Sequence, residues 1–151
     1  MSCKDKPFYQ FVPRRATILV LSCIDYRLID NTMKFLESAC HTNNFDFTTL
    51  AGASLGFNQN KYGCWNQTFI QHVELAIQLH KINKIIVIDH MDCGAYKLFY
   101  PGIEDNSHEE RSLHIENIKK FVDELKKIFP QLGYDGYIIN LGGDVERISI
   151  G

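Results

Sequence analysis

The sequence predicts an α/β protein, a single domain with a mostly parallel sheet flanked by helices. Three observations carry this. Residues 16–22 (Ala-Thr-Ile-Leu-Val-Leu-Ser) and 84–89 are apolar at consecutive positions, the pattern of strands buried on both faces. Segments with apolar residues every three or four positions lie between the strand-like runs, so strands and helices alternate. The length of 151 residues is that of one domain with a proper core.

Residues 1–15 carry Phe8, Tyr9, Phe11 and Pro13. They read as an N-terminal arm that lays aromatics on a partner subunit or straps the chain's own surface. The domain itself is expected over residues 16–151. After the first strand, Asp30 or Asn31 is placed to cap a short helix running to about Cys40. Residues 45–50 alternate and are rich in aromatic and β-branched types, hence a second strand. Residues 51–56 (Ala-Gly-Ala-Ser-Leu-Gly) read as a small-residue turn where backbone can approach something closely, and 57–65 as a polar, aromatic loop.

Asn66 or Thr68 opens a helix to about Lys81, with Phe69, Ile70, Val73, Ala76 and Ile77 as its apolar face and Leu75 and Leu79 broadening it. The third strand covers 84–89, and 98–106 reads as a loop. Ser107 with Glu110 three residues on forms a capping box. The helix it starts carries Leu113, Ile118, Phe121, Val122, Leu125 and Ile128 as its stripe and stops before Pro130. A fourth strand spans 134–141, and Gly142-Gly143-Asp144 turns into an antiparallel edge strand over 145–150. The expected sheet order is 2-1-3-4 plus that edge strand.

Composition narrows the function classes. The net charge of -2 gives no basic surface for nucleic acid or an acidic membrane. No apolar run approaches the roughly 20 residues of a membrane span, and the start lacks the apolar core of a signal peptide. A cytoplasmic location is therefore expected. There the five cysteines are thiols or metal ligands rather than a disulfide framework.

The two longest apolar strands both end in chemistry: Cys23, Asp25 and Arg27 follow the first, His90 and Cys93 the third. His and Cys three residues apart past a strand end converge on one metal ion if the chain curls, and Gly94 is placed to help it curl. Ligands of open α/β sheets bind beyond the carboxyl ends of the strands, where the strand order reverses. With the order 2-1-3-4, strands 1 and 3 are neighbours and Cys23 joins His90 and Cys93. Two thiolates and an imidazole suit one Zn2+ per chain, and three protein ligands leave the fourth position open, as in catalytic sites. Cys64 or Cys40 is the alternative, a fourth ligand that would make the site structural. Asp25 lies beside the metal with Arg27 holding its carboxylate ionised. It can accept a proton from bound water or itself close the coordination sphere.

Other polar residues read more plainly. Asp89 and Asp92 either orient His90 or face solvent. His72 and His80 lie on one helix, where a surface or satisfied core group is the default; His108 and His114 lie in the capped helix beside Glu109 and Glu110, where a solvated face is the default. Phe57, Tyr62 and Trp65 line the substrate entrance or pack within their loop.

The pair Cys23-Ile24-Asp25-Tyr26-Arg27 and His90-Met91-Asp92-Cys93-Gly94 resembles the signature of the β-class carbonic anhydrases. The likeness extends over residues 16–150. Ala51-Gly52 sits at that family's Asn-Ala-Gly turn, with Thr49-Leu50 in place of the usual Arg-Asn, and extra length falls in 55–66. The resemblance implies a zinc lyase of the compact subset that interconverts carbon dioxide and bicarbonate. Cys23, His90 and Cys93 would be the metal ligands and Asp25 and Arg27 the catalytic pair, in a cleft of a homodimer or tetramer. It leaves two alternatives: hydrolysis of a sulfur analogue such as carbon disulfide or carbonyl sulfide, and a catalytically silent zinc scaffold. Tyr96, His72 and His41 are candidates to relay the proton.

Overall fold

The alternation of side chains along each strand sorts the core into two layers, one on each face of a single sheet. In the computed structural model, which describes residues 15–39 and 41–151, the elements are β1 (Ile18–Ser22), α1 (Ile29–Ser38), β2 (Phe45–Thr49), α2 (Ser54–Asn58), α3 (Trp65–His80), β3 (Lys84–His90), α4 (Gly94–Phe99), α5 (Ser107–Ile128), β4 (Gly133–Ile139) and β5 (Val145–Ile148). The expected N-terminal arm and Cys40 fall on residues outside this set, apart from Arg15. Among the described residues no helix is long and apolar enough to cross a membrane.

The strand order is β2-β1-β3-β4-β5, as expected, with β5 antiparallel to β4 and the other pairings parallel. Leu19 and Leu21 of β1 and Ile85 and Val87 of β3 face α2, α3 and α5; Ile18, Val20, Ile86 and Ile88 face α1. Both strands are covered on both sides, which explains their unbroken apolar runs. The chain leaves β1 on one face and β2 on the other, so the switch point lies between β1 and β3. Ser22 pairs with Ile88 in that ladder, which sets Cys23, just past β1, and His90, the last residue of β3, at the same carboxyl end of the sheet.

Several elements differ from expectation, each for a long-range reason. α1 begins at Ile29 after a 3-10 turn over Tyr26–Leu28, and the turn is capped by Asp25, whose carboxylate accepts the Arg27 N–H at 3.0 Å. α2 occupies part of the expected turn and loop. Its first N–H, on Ser54, is held by the carboxylate of Asp89 at 3.0 Å, a cap delivered by a distant strand that no local pattern shows. α4 and a second 3-10 turn, Ile103–Asp105, replace much of the expected loop at 98–106. α3 starts at Trp65 behind a left-handed Cys64, and its Leu75 and Leu79 point outward rather than widening the buried face. The capping box is shifted by one residue: Asn106 caps α5 by accepting the Glu109 N–H at 3.0 Å, and Ser107 is inside the helix. Glu110 is thereby freed for another role. Ile128, placed in the buried stripe, is exposed.

Gly56 tests how tightly the turn before α2 is built. In an ordinary helix, alanine in place of glycine gains about 1 kcal/mol. Here a Cβ would lie 2.6 Å from the Ala51 carbonyl oxygen and 2.8 Å from the Leu50 Cβ. Overpacking of that kind costs about 1–3 kcal/mol, so the clash wins. Gly56→Ala is expected to lower stability by about 1–2 kcal/mol in urea denaturation. Stability equal to or above that of the wild type would show that the turn yields freely.

Candidate metal centre

Three side chains meet beyond the β1 and β3 ends. One ligand atom each of Cys23, His90 and Cys93 lies within 4.8 Å of the others, roughly the span of two metal–ligand bonds of 2.0–2.3 Å. Cys93 and His90 are buried and Cys23 is half-buried. The ring of His90 is oriented by its Nδ1, 2.8 Å from the Met91 carbonyl oxygen. That contact fixes the tautomer in which Nε2 has a lone pair to give. Nε2 is buried and has no hydrogen-bond partner. A buried nitrogen left unsatisfied costs about 1–3 kcal/mol, and coordination of a metal removes that cost. The donor set and the orphaned nitrogen together fit a zinc ion.

The local backbone is shaped to this arrangement. The curl between His90 and Cys93 comes from Asp92, at φ 58, and not from Gly94, whose φ is ordinary. Gly52, at φ +81, brings its N–H to 3.3 Å from the Cys23 sulfur. This is the close backbone approach that the small-residue turn foretold, and a Cβ at Gly52 would stand 3.2 Å from that of Ala95.

The thiols act as a pair. Cys23 is lowered, chiefly because Cys93 donates a hydrogen bond to it; His90 and the Gly52 N–H add to this against the cost of burial. Cys93 is raised because Cys23 already carries the charge and because it is buried. Together they give up one proton readily and hold the second, which a metal would displace. For His90 burial opposes the charged form, but the neighbouring Cys23 thiolate outweighs it and the net direction is upward.

Asp25 and Arg27 form the expected pair, with Arg27 Nη2 2.7 Å and Nε 3.1–3.2 Å from the carboxylate. The Arg27 hydrogen bonds hold Asp25 down at about 2, over the opposing effect of burial. Its Oδ2 is 3.7 Å from His90 Nε2. The same guanidinium donates to the Asp92 carboxylate and the Asp92 carbonyl, each at 2.9 Å, so Arg27 ties the two halves of the split motif together. Lys97 pairs with the other Asp92 oxygen. A pocket of about 530 Å³ opens onto Cys23, Asp25, Arg27 and Cys93, with Ile24, Tyr26 and Ala51 as apolar walls.

Other candidates lie elsewhere. Cys64 is exposed at the start of α3 and is not in the cluster. Phe57 is in the core against Phe69 and Phe121, and Tyr62 stacks on Trp65 rather than lining the pocket. Tyr96 is fully buried and donates to Asp89 at 2.8 Å, so it leads no proton to solvent. His72 and His41 do not line the pocket. Asp89 faces neither His90 nor solvent: it is buried against Ser54, Tyr96 and His114. His114, read as solvated, has no exposed surface at all. One signal pointed to it. The buried stripe of Leu125, Phe121 and Ile118, continued back in steps of four, lands on His114 and Glu110.

Comparison with known proteins agrees with this geometry. Residues 14–149 match a family model described as "Putative carbonic anhydrase". An uncharacterized protein of Rickettsia conorii is 38% identical over 134 residues, which is 88% of this chain and 72% of that one. Two solved structures share the fold. The β-carbonic anhydrase CafA of Aspergillus fumigatus has a TM-score of 0.59 at 15% identity, covering 91% of this chain and 77% of that one. A tetrameric β-carbonic anhydrase of Sordaria macrospora has a TM-score of 0.61 at 15% identity, covering 91% and 82%. With nearly its whole described length matched by that family model and its fold shared with β-carbonic anhydrases of solved structure, the chain belongs to the β-carbonic-anhydrase-like family.

Proposed function

We propose that the protein is a zinc-dependent carbonic anhydrase, a lyase that reversibly hydrates carbon dioxide to bicarbonate and a proton. Cys23, His90 and Cys93 hold one zinc per chain in this reading. The observation that carries it is the buried, unpartnered Nε2 of His90 beside two sulfurs, one of which is already held towards thiolate. When bound, zinc supplies a nucleophile at neutral pH by lowering the pKa of water to near 7.

The chain's own residues do the rest. Arg27 keeps Asp25 ionised through the whole physiological range, and the Asp25 Oδ2, which also accepts from Arg27 Nη2 at 2.7 Å, stands 3.7 Å from His90 Nε2, where it can accept a hydrogen bond at the edge of the ligand set. Because Arg27 also holds that carboxylate with its Nε and Nη2, Asp25 would be restrained from ligating a zinc held by Cys23, His90 and Cys93. Ile24, Tyr26 and Ala51 give a small apolar substrate a wall that sheds water. Ile24 is 62% and Tyr26 82% exposed, which suits a second copy of the chain closing the pocket in a homodimer or tetramer. In this reading residues 16–151 are the catalytic domain of a cytoplasmic enzyme, and residues 1–15 an arm.

Stopped-flow hydration of carbon dioxide by the zinc-loaded protein is the direct test. Acceleration well above the buffer rate is expected, with Asp25→Asn slower by about 100-fold or more. Asp25 titrates near 2, so no limb of the pH profile between 4 and 6 belongs to it. Zinc-edge absorption should show two sulfurs, one nitrogen and one oxygen. A third sulfur, or bound zinc with no hydration, would overturn the reading; release of hydrogen sulfide from carbon disulfide in that second case would redirect it to a sulfur substrate.

A further inference from the structure

Behind the candidate ligands lies a buried polar cluster that the hydration chemistry does not use. Asp89 ends the apolar part of β3, one residue before His90, and is 1% exposed. Its carboxylate accepts from the Ser54 N–H at 3.0 Å, the Ser54 hydroxyl at 2.7 Å and the Tyr96 hydroxyl at 2.8 Å. The Nδ1 of His114 is 2.8 Å from the same carboxylate, and its Nε2 is 3.4 Å from Glu110 Oε1. Glu110 Oε1 in turn accepts the backbone N–H of Cys93 at 3.1 Å. One imidazole on α5 thus bridges the two flanks of the His90-to-Cys93 segment.

We propose that Glu110 is a positioning residue for the metal loop, anchored by His114 and Asp89, and that it sets where the Cys93 sulfur sits. The inference rests on the zinc reading above. Three features point to it. Asp92 is forced into the left-handed region, and Cys93 then enters α4 with extended backbone and no side-chain cap, so its buried N–H needs an acceptor from elsewhere. Glu110 supplies that acceptor from 17 residues away. Finally, buried charged groups add little net stability compared with apolar side chains of the same volume. A core of Leu or Phe at these places would hold α5 against the sheet, but it would leave the Cys93 N–H unmet. Hydrogen bonds behind metal ligands orient the ligands and tune their hold on the ion.

The test compares zinc-loaded wild type with Glu110→Ala, which removes the acceptor, and Glu110→Gln, which keeps an oxygen for the Cys93 N–H. Zinc release to a chromophoric chelator is expected to be about 10- to 100-fold faster in Glu110→Ala and close to wild type in Glu110→Gln. The visible bands of the cobalt-substituted proteins should follow the same order, since they report ligand geometry rather than fold. In the wild-type holoprotein, amide hydrogen exchange at Cys93 should be as slow as in β3. Equal release rates and equal cobalt spectra in all three proteins would overturn the proposal, as would fast exchange at Cys93 if Glu110→Ala does not fold. Wild type that takes up neither zinc nor cobalt would sink the metal reading and the proposal together, an outcome distinct from either of these.

Discussion

Cys23→Ser is expected to lose zinc during dialysis and to hydrate carbon dioxide no faster than buffer. Serine keeps the size and the position at the end of β1, so the sheet should be undisturbed and the circular dichroism unchanged. What changes is the donor. Cys23 is the thiol that ionises first, because Cys93, His90 and the Gly52 N–H all support its charge. A hydroxyl in that position stays protonated at neutral pH and is a poor partner for a soft-ligand zinc site. The loss should exceed the about 10- to 100-fold that follows from removing an outer hydrogen bond. Zinc content by atomic absorption, alongside stopped-flow hydration, checks it. A variant that retains one zinc per chain would show that Cys23 is not a ligand.

Asp89→Ala is expected to give the largest stability loss in the molecule. The substitution strands the Ser54 N–H, the Ser54 and Tyr96 hydroxyls and one nitrogen of His114, all in a region closed to water. Breaking a buried charged pair by removing one partner costs about 3–5 kcal/mol, out of a total that is only about 5–15 kcal/mol for most domains. At this chain length the melting temperature should fall by roughly 10–15 °C. The pH dependence should change as well. In the wild type burial opposes a charge on His114, but hydrogen bonds to Asp89 and Glu110 outweigh it and the folded value is raised above 6.5. That contribution is complete below 6.5 and fades as pH rises through the folded value. In Asp89→Ala the fade should be smaller. Thermal melts at pH 5, 7 and 9 test both points; a drop of a degree or two at all three would show that the cluster is dispensable.

Much of the site was legible because its signals are local. Asp25 and Arg27 are two residues apart on one turn, so their pairing needs no fold to bring it about. His90 and Cys93 share one strand end, and Cys23 joins them once β1 is placed next to β3, an order that alternation of strands and helices allows and the structure shows. The hidden parts are those where two elements meet. The capping box at Ser107 was a sound local pattern that lost to Asn106, and the loser's glutamate was drawn inward to the Cys93 amide. Asp92 took the positive φ that glycine was expected to take, because Arg27 and Lys97 hold its carboxylate and Arg27 its carbonyl.

The sequence alone determined the strands and the ligand types at their ends, because apolar periodicity and strand-end chemistry are written in consecutive positions; that β1 and β3 are neighbours was an expectation which the structure bears out. Only the tertiary structure decided that Asp89, Glu110 and His114 are buried together behind those residues. Charged side chains on a helix or at a strand end look the same in sequence whether they face water or each other; what separates the two cases is a partner brought from a distant element by packing.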